Sequence, residues 1–243
     1  MAEVDSTNNE VKRRAAAGAA EGLAVIAGAQ SGGRGRRGRA FQSLPGKGLY
    51  LSVLLRPRVP AVTAALLTAH TALAVCDGIE ACCGVRPGIK WVNDIILAGK
   101  KVCGILAEME GIDAAGLPAV AVLGIGINIS QTSADFGPAL SPTAISLEDA
   151  LGHPVDSARL TGCLLAALSD MYRAFPGGGA LERYRADCLT LGRQVCFRRG
   201  EETVTAFAET VTPSFGLVVR YPSGNRGILT AGEVSVRGLL GYL

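Results

Sequence analysis

The chain has 243 residues, 49% of them hydrophobic, with 24 Lys and Arg against 21 Asp and Glu. That length suffices for one large domain, or a domain with a small appendage, around a full core. Four arginines fall in one short stretch, GGRGRRGR (32–39), and without them 20 basic residues face 21 acidic ones. So concentrated a charge argues against a general nucleic-acid binder, whose Lys and Arg spread along a face or a helix. The seven cysteines are irregularly spaced, with no C-x-x-C pair, so reduced thiols fit better than a disulfide framework or a zinc site.

The N-terminal MAEVDSTNNEVKRR carries no apolar core of a secretory signal. Thr7 followed by Glu10 matches a capping box and predicts a first helix over residues 8–22. LAVIAGAQ (23–30) reads as a short strand feeding the arginine-glycine loop, and LYLSVLLR (49–56) as the next strand. Pro57 and Pro60 precede an alanine-rich helix of about residues 61–83. Its most apolar part, AVTAALLTAHTALAVC (61–76), is too short and too polar for a membrane span and reads as buried. GIKWVNDIILAGKKVCGILAEME (88–110) predicts two strands joined by a turn at Ala98-Gly99-Lys100. PAVAVLGIGINIS (118–130) is almost wholly apolar, as a central strand would be. Two helices follow near 156–175 and 179–190. From Gly192 onward QVCFR, TVTAFAET, GLVVRY, GILTA and GEVSV are short, closely spaced strands, which predict a small β-barrel and a domain boundary near 191.

Alternation along GIGIN puts Gly124, Gly126 and Asn128 on one face and Ile125, Ile127 and Ile129 on the other. The isoleucines suit a core. Two successive bare positions suit close approach by a ligand or a second backbone, or close helix-to-sheet packing; with Asn128 at their end, a flat ligand with a hydrogen-bonding edge is favoured. Ordering the eight loop residues costs on the order of 8–16 kcal/mol, against ~1.5–3 kcal/mol for each charge-assisted hydrogen bond. The loop is therefore expected to be mobile in the free protein and to be ordered by several phosphate or carboxylate contacts with an anionic ligand. Lys90 and Lys101 both qualify as a catalytic cation, Lys101 because it opens a strand at the rim of a pocket. Asp94 beside Asn93 suits a metal, an amine or simply a turn.

DSTN, GRGRRGR, KWVND, KKVCGILAE and GIGIN occur in that order over residues 4–130, with GEVSVRG at 232–238. The set strongly resembles the biotin–protein ligases, or biotin–[acetyl-CoA-carboxylase] ligases. The resemblance implies an α/β catalytic domain similar to class II aminoacyl-tRNA synthetases over 1–191, followed by an SH3-like small β-barrel over 192–243. It implies two reactions: biotin and MgATP give biotinyl-5′-AMP and pyrophosphate, and the adenylate then biotinylates a lysine of a biotin carboxyl carrier domain. Ser6, Thr7, Gln30, Gly33, Arg34, Arg36, Lys101, Gly104, Gly124 and Gly126 would surround biotin. Arg36, Arg39, Phe41, Asn93, Lys101, Ile127, Asn128 and Arg237 would hold the nucleotide. Lys101, Arg36, Arg39 and Asp94 would carry catalysis, with Asp94 near magnesium or the acceptor lysine.

Such chemistry brings two anions together, which needs fixed cations and a covering loop. Two residues depart from the family pattern: Val92 stands where proline is usual, and Phe41 where tryptophan is common. The motif DSTN at position 5 leaves no room for the winged helix-turn-helix of the repressor forms, so no DNA partner is expected, and no membrane. The expected compartment is the cytoplasm, and a homodimer is allowed. A lipoate–protein ligase is the nearest alternative. An arginine-rich nucleic-acid module is more remote, since only Phe41 and Tyr50 are at hand to stack bases. A catalytically dead carrier-binding protein would leave Lys101 idle.

Overall fold

The computed structural model describes residues 1–177, 179–230 and 234–236, the last three and Arg37 by backbone alone. In chain order the first elements are β1 (Glu3–Val4), α1 (Thr7–Ala16), β2 (Ala24–Ala27), β3 (Ala29–Gln30), β4 (Gly48–Leu55), α2 (Ala61–Ala64) and α3 (Leu67–Cys83). Then come β5 (Gly88–Lys90), β6 (Asp94–Leu97), β7 (Lys100–Ile112), β8 (Pro118–Asn128), α4 (Ser133–Leu140), α5 (Leu147–Leu151), α6 (Ser157–Ala174) and α7 (Ala180–Asp187). The chain continues through β9 (Gln194–Arg199), β10 (Glu202–Val211), β11 (Leu217–Arg220), β12 (Arg226–Leu229) and β13 (Val234–Val236).

Six antiparallel strands in the order β2-β4-β8-β7-β6-β5 form the main sheet, with the apolar β8 near its centre as its composition requires. The strand period of two divides its faces. Leu49, Leu51, Val53 and Leu55 of β4 join Leu123, Ile125 and Ile127 of β8 in one core, packed on α3. Helix α6 packs on α3 in turn, through a close crossing at Gly78, where a Cβ would stand 3.0 Å from Leu164 Cα. On the opposite face α1 contributes Val11 to a smaller cluster with Val25, Leu54 and Val122. The segment Ala61–Cys83 is long and apolar enough to cross a bilayer, but 67% of its most apolar window is buried within the protein. Its hydrophobicity belongs to the core.

The C-terminal strands form a five-stranded antiparallel sheet, β12-β11-β10-β9-β13. It adjoins the larger body through Trp91, whose indole N–H donates to Phe215 O at 2.7 Å, and through Phe215, which meets His70 and Tyr184 edge-on.

Several expectations need correction. The first helix starts from Ser6 without a side-chain cap and ends at Ala16. Thr7 is engaged with Gln30, and Glu10 with Arg13 and Arg14, so no capping box forms. The stretch 88–110 makes three strands, because Trp91, Val92 and Asn93 interrupt the first. Helices α4 and α5 were not anticipated. Helix α4 does have a capping box, with Thr132 N–H donating to Asp135 Oδ2 at 2.8 Å and Asp135 N–H returning to Thr132 Oγ1 at 3.3 Å.

Candidate active site

The strand register builds the floor of the site. Tyr50, Gly126, Gly104 and Asp94 are successive partners across β4, β8, β7 and β6, and Ser52, Gly124 and Leu106 form the next row. The glycine rows therefore lie side by side on the α1 face. A bulge opposite Ile95 and Ile96 inserts Val102 as an extra residue in β7. Lys101 and Gly104 are three apart and would point to opposite faces of a regular strand. The bulge turns Lys101 onto the floor, where its Nζ lies 3.1 Å from the position of a Gly104 Cβ. There it pairs with Asp94 at 2.7 Å.

The protein's own groups fill the bare positions. A Cβ on Gly126 would stand 2.6 Å from the Phe41 ring, and one on Gly124 would collide with the Asn8 amide. The glycines thus admit one aromatic ring and one amide of the protein itself to the sheet surface, where the sequence alone favours a flat ligand. Gly33 is tightly enclosed as well, with Phe41 O and Ser43 Oγ at 2.5 and 2.7 Å from its would-be Cβ.

A polar chain runs along the other end of the pocket. The Thr7 N–H and hydroxyl both donate to Gln30 Oε1, at 2.8 and 3.1 Å, and Gln30 Nε2 donates to Ser43 Oγ at 2.8 Å. The Ser52 hydroxyl lies 2.7 Å from Thr7 Oγ1 and 2.6 Å from Asn8 Oδ1. Asn8 Nδ2 donates to Glu108 Oε2 at 2.7 Å. Burial pushes the Glu108 carboxyl up, but the bonds from Asn8 and Lys12, with the charges of Lys12 and Arg34, outweigh it and hold it below the usual range.

The arginine loop closes over this floor as a narrow flap. Gly35 N–H donates to Arg39 O at 2.7 Å and Phe41 N–H to Gly33 O at 2.9 Å, around a single 3-10 turn at Arg36–Gly38. Arg34 reaches Glu108 at 3.1 Å and Asn9 at 2.7 Å. Arg36 donates to Asn93 Oδ1 at 2.8 Å, and Asn93 is itself fixed by donating to Ile105 O at 2.8 Å. The outgoing limb is tied to α4 by Gln42 on Asp135 O and Lys47 on the Asp135 carboxylate, at 3.0 and 2.6 Å.

Ser6, Thr7, Gln30, Arg34, Arg36, Phe41, Asn93, Lys101, Gly104, Gly124 and Gly126 accordingly line one pocket. Gly33 supports it from below the flap, Asp94 stands on Lys101, and Arg39 is exposed on the flap's outer limb. Two expectations are corrected in form. Ile127 is fully buried with its side chain in the core, so only its backbone faces other groups. Asn128 offers no open edge, because its amide N–H groups reach Ile145 O at 3.2 Å and Lys101 O at 3.4 Å. Arg237 lies outside the described residues. Lys90 is buried in β5, away from the pocket lining.

Among the described residues no three His, Cys, Asp or Glu gather around a common point. With its carboxylate on Lys101, Asp94 does not fit a protein-held metal centre. Asn8, Ser43, Ser52 and Glu108 were missed. Asn8 sits inside the very motif DSTN; Ser52 and Glu108 become visible only through the register, and Ser43 only through its bond from Gln30.

What the pocket offers is a polar set with Arg34 at one end, Arg36 and a paired lysine at the other, and a flap over both. The biotin/lipoate A/B protein ligase family pattern matches residues 1–128. The biotin–[acetyl-CoA-carboxylase] ligase of Paracoccus denitrificans is 35% identical over 98% of this chain and 100% of its own length. A bifunctional ligase/repressor of Bacillus spizizenii is 38% identical over 71% of this chain, which spans only 52% of that relative. A biotin protein ligase from Aquifex aeolicus, solved with biotin and ATP, superposes with a TM-score of 0.81 at 27% identity, covering 98% of this chain and 97% of that one.

Proposed function

The chain belongs to the biotin/lipoate A/B protein ligase family, and from that membership we propose that it is a biotin–[acetyl-CoA-carboxylase] ligase. Its fold is the family's: a class II aminoacyl-tRNA synthetase-like α/β body with a small C-terminal β domain, divided near residue 191. The observation that carries the reading is Lys101, turned by a bulge onto a glycine floor, paired with Asp94 at 2.7 Å and sharing its pocket with Arg36.

In the first step a biotin carboxylate oxygen attacks the α-phosphorus of ATP and pyrophosphate leaves. Two anions approach as the new bond forms, so a fixed cation between them lowers the barrier. Lys101 supplies the point charge, and Asp94 holds it in place. Arg36, braced by Asn93, and Arg39 supply forked donors to phosphate oxygens. Thr7, Gln30 and Ser6 present donors and acceptors to the ureido ring, and Phe41 covers the ligand from the flap. Magnesium arrives on the triphosphate and neutralises its charge. In the second step the neutral amine of a carrier lysine attacks the mixed-anhydride carbonyl. AMP leaves, the amine gives up a proton, and the closed flap keeps water from competing. Asp94 would receive the proton that the amine gives up.

A lipoate ligase shares the family pattern, but the relatives and structures above are named for biotin. The partner is a biotin carboxyl carrier domain, and the compartment is the cytoplasm. Incubating the protein with MgATP, a carrier domain and either biotin or lipoate tests the reading. Mass spectrometry should find one added biotinyl group on the carrier and no lipoyl group; the reverse result would replace biotin by lipoate.

A further inference from the structure

We infer that Glu108 is the latch of the arginine flap, a positioning residue that ties flap closure to the polar end of the pocket. Glu108 lies on β7 beyond the catalytic lysine and outside the pocket lining. One of its oxygens, Oε2, receives both Asn8 Nδ2 at 2.7 Å and Arg34 Nη2 at 3.1 Å. Its other oxygen meets Lys12 at 3.1 Å, and Lys12 is shared with Glu110 at 2.8 Å. One carboxylate therefore touches the incoming limb of the flap and the amide that seats on Gly124.

From Asn8 the connection continues without a break. Asn8 Oδ1 meets the Ser52 hydroxyl, Ser52 meets Thr7, and Thr7 bonds Gln30. When the flap is closed, Arg34 neutralises part of the Glu108 charge that Asn8 otherwise faces with Lys12 alone. When the flap opens, that carboxylate loses a donor, and Arg34 leaves both Glu108 and Asn9 of α1 for solvent. Closure and the orientation of Asn8 thus favour each other. Asn8 lines the pocket at Gly124, one row of the sheet away from Gly104 and Lys101, so the latch acts on ligand retention rather than on the reacting atoms.

The inference rests on the adenylation reading, but its first test does not. Amide hydrogen exchange across residues 33–41 is measured on the protein alone for wild type, Glu108→Gln, Arg34→Ala and the double variant. Arg34 is 40% exposed and Glu108 23%, so a modest coupling applies. Each single variant should exchange about fivefold faster, and the double variant no faster than Arg34→Ala. The second test is a chase of preformed biotinyl-adenylate. Its release should quicken by a similar factor in Glu108→Gln while the melting temperature stays near wild type. Equal exchange in all four proteins, or additive effects in the double variant, would overturn the latch. If the wild type forms no adenylate, the functional reading fails, and the exchange result alone decides the latch.

Discussion

Gly124 and Gly126 are adjacent on one face of β8, yet alanine at the two should fail in different ways. At Gly124 the added methyl would stand 2.9 Å from Asn8 Cγ and 3.0 Å from Asn8 Nδ2, closer still to Oδ1. Carbon atoms settle at about 3.5–4.0 Å, so something must move by close to an ångström. Asn8 is 3% exposed and fixed by Ser52 and Glu108, so it cannot yield without breaking those bonds. Overpacking of this kind costs ~1–3 kcal/mol, offset by ~0.5–1 kcal/mol because alanine suits a strand better than glycine. A net loss of about 1–2 kcal/mol lowers the melting temperature of a chain this size by roughly 2–8 °C. At Gly126 the clash is with the Phe41 ring, 2.6 Å away. Phe41 is half-buried and sits on the flap, so the ring can swing out at little cost to the fold. Gly126→Ala should therefore melt within about 2 °C of wild type yet bind biotin and the adenylate much more weakly. Differential scanning fluorimetry with and without biotin and ATP separates the two effects. Equal melting temperatures for the two variants, or ligand stabilisation untouched in Gly126→Ala, would refute the reasoning.

Trp91→Phe removes the buried indole N–H that reaches Phe215 O, leaving that carbonyl unpaired; denaturant titration should show a loss of ~1–3 kcal/mol. His70 is 4% exposed and packed edge-on against Phe175 and Phe215, and burial lowers its pKa from 6.5. The unfolded chain therefore takes up the proton first, so this contribution is full above pH 6.5 and declines as pH falls below it. A Tm series from pH 7.5 to 5 should show the decline in wild type, and His70→Phe should flatten it. Burial raises the thiols of Cys76, Cys103 and Cys188, whereas Cys196 is exposed. Iodoacetamide should label Cys196 first in the native protein and the three buried thiols only after unfolding.

Much of the sheet was legible because its signal is local. The apolar run of β8 and the alternation in GIGIN predict a central strand with one bare face, and the structure has both. The turn at Ala98-Gly99, with both residues at positive φ, was legible from its glycine. What could not be read depends on partners far along the chain. The Val102 bulge that aims Lys101 is set by pairing with β6, and nothing in KKVCG marks it. Asn8 and Ser52 acquire their roles from a register that spans more than forty residues. Thr7 carried a helix-cap pattern that lost to Gln30, a partner 23 residues away. Helix α4 was legible in principle, since Thr132 and Asp135 form a capping pair, but the pattern is short and Gly137 and Pro138 break its apolar rhythm.

The most direct test of the account is a carrier-free reaction with biotin, α-labelled ATP and magnesium, run on wild type and on Lys101→Ala. The account predicts labelled biotinyl-AMP from the wild type and a loss on the order of 10²–10³ in its rate of formation in the variant, as for removal of a fixed electrostatic group. Adenylate formed equally well without Lys101, or no adenylate from the wild type, would contradict it.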